Sequence, residues 1–133
     1  MKFEFNEQKL TQEELMIFER QINFKLPDGY KKIILEYNGG FPEKPYYKGK
    51  SVSFESIKYG EYPIEKSLEA LKDVLPEAFF PFGCDGGGWL FCFDLSNGEN
   101  YGKVYFYQAD GEYYLLANSF EEFMEELSDD TDE

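Results

Sequence analysis

Residues 89–95 read Trp-Leu-Phe-Cys-Phe-Asp-Leu, and this run limits the possible folds more than any other, because neither of its faces can be left in water. Trp89, Phe91, Phe93 and Leu95 alternate with Leu90, Cys92 and Asp94, so a strand here is largely apolar on both sides and belongs at the centre of a sheet. A second strand over 103–107 repeats the habit, with Val104 and Phe106 on one face and Tyr105 and Tyr107 on the other. Between them, Ser96-Asn97-Gly98-Glu99-Asn100-Tyr101-Gly102 is a turn cluster that predicts an antiparallel hairpin. Ahead of the hairpin, Gly86-Gly87-Gly88 permits positive φ and close chain approach.

The rest of the chain supplies elements to pack on that hairpin. Thr11 followed by Glu14 has the spacing of a capping box, and Leu15, Phe18 and Ile22 then form one apolar stripe, which predicts a helix over 12–23. Pro27 can open a second helix carrying Tyr30, Ile33, Ile34 and Tyr37, closed by Asn38-Gly39-Gly40. Residues 41–62 read as a loop with a strand over 51–57. Leu68, Leu71 and Leu75 predict a helix over 67–75, capped by Ser67 and stopped by Pro76. After the hairpin come a strand over 113–117 and a helix with Ser119 as cap and Phe120, Phe123, Met124 and Leu127 as its stripe. The fold class is α+β: one domain over 1–127, mostly antiparallel at its centre and flanked by N-terminal and C-terminal helices. Residues 128–133, with nothing apolar to bury, are expected to be a disordered acidic tail.

At 133 residues the chain can bury a sizeable core without disulfides or metal. Cys84 and Cys92 are expected to be reduced and structural. The formal charge of −14, from 13 basic and 27 acidic residues, repels phosphate backbones and anionic lipid and attracts basic partners. Neither nucleic acid nor membrane is an expected partner. No apolar run reaches the roughly twenty residues of a membrane span, and the start lacks a signal-peptide core, so a cytoplasmic protein is expected.

There is no histidine, which removes Ser-His and Cys-His couples, His-ligated metals and imidazole base chemistry. The three-glycine run lacks the Gly-Lys-Ser/Thr of a phosphate loop and leads into a strand. A calcium reading of the loop from Asp94 fails because Tyr105 stands where a closing glutamate is needed. No catalytic residue, metal or cofactor is expected.

What remains is a surface that binds. Tyrosines in or beside predicted loops offer broad, rigid contact area with a polar tip. Tyr46, Tyr47, Tyr113 and Tyr114 are the candidate anchors, with Asp85, Asp110 and Glu112 beside the hairpin as acidic support. The structural alternative for each tyrosine is that it roofs the core edge.

Two segments together resemble the SUKH superfamily, which includes yeast cell-wall synthesis regulators and many bacterial immunity proteins. One is Leu26-Pro27-Asp28-Gly29-Tyr30, through Ile34-Leu35, to Tyr37-Asn38-Gly39-Gly40; the other is Phe82-Gly83, Asp85-Gly86-Gly87-Gly88 and the strand to Asp94, completed by Gly102-Lys103-Val104-Tyr105-Phe106. The resemblance spans about residues 11–127. It implies an α+β sheet flanked by helices, no catalytic residues, and, as in bacterial members, neutralisation of a cognate toxin domain, for which a basic nuclease suits the acidic charge. A regulatory or scaffold module that binds an endogenous protein is the alternative, followed by a carboxylate-dependent enzyme.

Overall fold

A computed structural model describes residues 1–129. The hairpin is the middle of a five-stranded antiparallel sheet. Its strands are β5 (Ser53–Phe54), β6 (Phe79–Cys84), β7 (Leu90–Asp94), β8 (Val104–Tyr107) and β9 (Tyr113–Ala117), in that spatial order. Strand β7 is central, with Phe91 and Phe93 fully buried, as its two apolar faces require. Its register with β8 pairs Phe91 with Phe106 and Phe93 with Val104.

One sheet face carries Phe80, Phe82, Phe91, Phe93, Val104 and Phe106 and packs under the helices. Tyr30, from the second helix, sits edge-on to Phe80, Phe82, Phe93 and Phe120, so one ring joins two helices to three positions on the sheet. The opposite face carries a smaller cluster of Phe79, Cys92 and Tyr107, against which Leu75, Leu90 and Tyr105 pack only partly buried.

Helix α1 (Gln12–Ile22) begins at the expected capping box: Thr11 Oγ1 accepts from the Glu14 amide, and Glu14 Oε1 accepts from the Thr11 amide. Helix α2 (Asp28–Glu36) follows Pro27. Its end differs in detail from the expectation, because extended Tyr37 terminates it and the positive φ values fall on Gly39 and Gly40. Asn38 does something else: it is buried, donates from Nδ2 to the carbonyls of Gln8 and Ile57 (both 2.9 Å), and accepts at Oδ1 from the Ile57 amide (2.8 Å). A Cβ on Gly40 would stand 2.2 Å from the Glu4 carbonyl oxygen. The Asn-Gly-Gly motif therefore fastens three chain segments together.

Helix α3 (Ile64–Leu71) starts at Pro63, not at the expected Ser67. Proline fixes the φ needed to enter a helix, and Ser67, one turn in, donates instead to Glu55 Oε2 at 2.9 Å. The sequence predicts no strand over 79–84, and β6 holds Pro81 and Gly83, which disfavour a strand interior. The sheet carries them through a register shift between Pro81 and Gly83, and a Cβ on Gly83 would stand 2.6 Å from the Ser53 carbonyl oxygen of β5.

Short pairings complete the fold. Strand β1 (Phe3–Glu4) pairs with β2 (Phe41–Pro42), and β10 (Leu127–Ser128), β3 (Tyr46–Tyr47) and β4 (Lys50–Ser51) form a small sheet. The single strand expected over 51–57 is thus β4 and β5 in separate sheets. Helix α4 (Phe120–Glu125) is capped by Ser119 as expected but stops before Leu127, which enters β10. Ser128, assigned to the acidic tail, pairs with Tyr46; residues 130–133 of that tail lie outside the described residues.

Candidate functional site

The loops at one end of the sheet gather most of the candidate residues. Strands β6 and β7 are joined there by residues 85–89, and β8 and β9 by residues 108–112. Asp85 Oδ1 accepts from the amides of Gly87 (3.0 Å) and Trp89 (2.9 Å), while the Asp85 amide donates to the Trp89 carbonyl (2.8 Å). Its carboxylate thus builds the glycine loop. Of the three glycines only Gly88 takes a positive φ, and Gly86 uses its amide to donate to Ser51 Oγ at 2.8 Å, which ties the loop to β4. Asp110 acts likewise in the next turn, its Oδ1 accepting from the Glu112 amide at 3.0 Å.

Trp89 lies just before β7 rather than in it, 39% exposed, with its ring edge-on to Phe106 at 5.7 Å. Tyr114 lies on the other side of Phe106 at 5.9 Å, and Lys50 Nζ sits over both Phe106 (5.3 Å) and Tyr114 (6.0 Å). Trp89, Tyr114 and Lys50 together roof Phe106 while leaving much of their own surface in solvent. Sequence reasoning missed Trp89, which it buried in the strand, and Lys50. The sign of Trp89 was its position right after three glycines, where the alternation of a strand has no support.

Tyr113 points to the opposite face. It sits edge-on to Phe79 (5.0 Å) and Tyr105 (6.0 Å) and parallel to Tyr107 (6.2 Å), and it is 48% exposed. Tyr113 and Tyr114 therefore form no single patch but flank the strand from either side, as strand alternation demands. Residues 109–115 are all exposed.

Tyr47 is corrected from surface anchor to core residue. It is buried, its ring stacks on Phe123 at 4.7 Å and its hydroxyl donates to the Leu116 carbonyl at 2.9 Å. Its neighbour Tyr46 faces the other way, half-buried in a cleft of about 370 Å³ with Phe41, Pro42, Pro45 and Ser51.

The strongly perturbed carboxyl is elsewhere. Glu14 accepts from Lys58 Nζ at 2.5 Å and from the Tyr59 hydroxyl, and Lys58, as the largest cause, helps hold its pKa down to about 2. Burial raises Glu55, with the Ser67 hydroxyl opposing. Each is tied to a local partner, and neither lies among the candidate residues. A further cleft of about 650 Å³ runs between α1, α3 and the start of β6, floored by Phe18, Ile22, Leu68 and Phe80; none of the candidates lines it. Among the described residues no helix is long and apolar enough to cross a membrane.

Residues 9–126 match the SMI1 / KNR4 family (SUKH-1). The chain belongs to this family. It is also similar to the SPbeta prophage-derived uncharacterized protein YokK of Bacillus subtilis (strain 168), with 28% identity over 149 residues covering 90% of this chain and 76% of that protein. The SUKH-1 match spans α1 through α4, so it includes the loop end of the sheet.

Proposed function

We propose that this SUKH-1 chain is a non-enzymatic immunity protein that binds and neutralises a cognate bacterial toxin domain at the loop end of the sheet. The observation that carries this reading is the exposed run 109–115. Asp110, Glu112, Tyr113 and Tyr114 share one turn and strand there, and Tyr114 lies across Phe106 from Trp89. Large aromatic rings left half in water on so acidic a protein are the residue types that anchor interfaces. The absence of histidine from the sequence, and the use of Asp85 and Asp110 to build turns, support a binding role over a catalytic one. A basic toxin, such as a nuclease, matches the −14 charge.

The test is co-expression with each candidate toxin domain found in neighbouring genes, followed by binding kinetics. Wild-type protein is expected to rescue growth and form a complex, and added salt to slow association far more than it speeds dissociation. Trp89→Ala and Tyr114→Ala are each expected to weaken binding by roughly 2 kcal/mol with folding intact. Failure to protect cells or to bind sinks the immunity reading. Normal binding by both variants moves the interface elsewhere.

A further inference from the structure

We propose that the outer edge of β9 is where the partner docks, by laying an extended, Lys/Arg-bearing segment alongside Tyr113, Tyr114 and Leu115 as a sixth strand. This rests on the toxin-binding reading above and specifies its geometry.

The two edges of the central sheet are treated differently. At the β5 edge, Gly40 and Phe54 exchange hydrogen bonds, Gly40 N to Phe54 O at 2.9 Å and Phe54 N to Gly40 O at 2.8 Å, so that edge is closed. Among the described residues no strand pairs with the outer side of β9. At its far end the Tyr47 hydroxyl donates to the Leu116 carbonyl. The Gln108 amide donates to the Glu112 carbonyl at 2.9 Å, and the register pairs Phe106 with Tyr114. By alternation Glu112 and Tyr114 face β8, and Tyr113 and Leu115 present their N–H and C=O groups outward.

Proteins usually blunt such an edge with a charge, a proline, a β-bulge or a covering element, and the register shift of β9 falls past Tyr113 and Tyr114, between Leu115 and Ala117. Strand β9 carries no charge and no proline, and Tyr113, Tyr114 and Leu115 are 48%, 44% and 47% exposed. An added strand would set alternate side chains beside Tyr113 and Leu115 on one face, and beside Tyr114, with Lys50 over its ring, on the other.

Charge selects the occupant. Asp110 and Glu112 stand just before β9, and Glu121 and Glu122 lie just after it in the first turn of α4. Cationic side chains at either end of an added strand would meet acids. The rings themselves hold a cation already, since Lys50 lies over Phe106 and Tyr114. A second copy of this chain would bring another −14 to the same edge, which favours the basic segment.

The probe is a dye-labelled, end-capped peptide alternating Arg with Val, with an otherwise identical Glu/Val peptide as control, titrated by anisotropy at low salt. The Arg peptide is expected to bind and the Glu peptide not, with slowed hydrogen exchange at the Tyr113 and Leu115 amides. Leu115→Pro deletes an outward N–H at a position where an edge strand tolerates proline. It should weaken the Arg peptide roughly tenfold, while Leu115→Ala, which keeps the N–H, should stay within about threefold. Should the proline variant misfold, exchange in the wild-type protein decides alone. The proposal is overturned if neither peptide binds, if both bind alike, if protection falls outside β9, or if sedimentation shows a dimer that Leu115→Pro dissolves. A toxin domain that binds without protecting β9 amides refutes this geometry and leaves the immunity reading standing.

Discussion

Replacing Asn38 by alanine removes a side chain that joins three segments and touches no candidate binding residue. The amide makes three hydrogen bonds of 2.8–2.9 Å, two of them to Ile57 in the loop before α3 and one to Gln8 ahead of α1. Each contributes about 1 kcal/mol net, and a buried group left unpaired costs about 1–3 kcal/mol. Alanine strands the Ile57 amide and two carbonyls at a site where Asn38 itself is 1% exposed, so the expected loss is about 3–5 kcal/mol. For a chain of this size that lowers Tm by roughly 10–18 °C. Urea unfolding followed by circular dichroism, with thermal scans alongside, measures it. Asn97→Ala, an exposed turn substitution, should stay within about 0.5 kcal/mol and serves as control. A loss below about 1 kcal/mol for Asn38→Ala would falsify the claim that this residue fastens the segments together.

Truncating the fully buried Phe93 to alanine should cost about 3–5 kcal/mol; an unchanged midpoint in a denaturant titration would remove it from the core. Glu14, ordinarily near 4.5 and held down to about 2 chiefly by Lys58, contributes stability that is present above its unfolded value and lost as pH falls toward its folded one. Unfolding measured across that acid window should show a shallower slope in Glu14→Gln, and equal slopes would refute the linkage. Burial raises Glu55 above its ordinary 4.5, so its contribution runs the other way, full at acid pH and lost as pH rises through the raised value. Glu55→Gln can still accept from Ser67, and it should melt above wild type at neutral pH and level with it below the ordinary carboxylate range. A neutral-pH Tm below wild type would show that the charge is not the penalty.

Elements whose signal is local were legible in the sequence. The capping box of α1 needs only residues three apart, and the two apolar faces of β7 are written in consecutive residues. Strand β6 was not legible, because Pro81 and Gly83 carry turn chemistry that a bulge and the approach of β5 override, and both depend on distant chain. The tyrosine doublets show the same limit. Adjacent residues in a strand face opposite ways, so one member of Tyr46-Tyr47 had to turn inward, yet nothing nearby in sequence says which. Residues 46 and 47 differ only in what comes to cover them, and the cover for Tyr47 is Phe123. Tyr113 and Tyr114 both stay half exposed because β9 is an edge, a property of the whole sheet.

The residues that carry the family resemblance turn out to be those the fold itself uses. Asn38 ties three segments, Gly40 and Gly83 admit neighbouring backbone, Asp85 shapes the glycine loop, and Asp94 accepts from the Ser96 amide at 2.9 Å. Gly102, at φ +81, donates to the Asp94 carbonyl at 2.7 Å and closes the hairpin. The exposed run 109–115 and Lys50 lie outside those motifs, and within the run backbone shape rests on Asp110, whose carboxylate accepts from the Glu112 amide, and on Gly111 at φ +90. A scaffold divided this way can hold its sheet and helices constant while the residues facing a partner change freely. The motifs therefore establish the fold and are silent about the partner; on the toxin-binding reading proposed above, the partner is sought at the aromatic and acidic edge that the motifs leave uncovered.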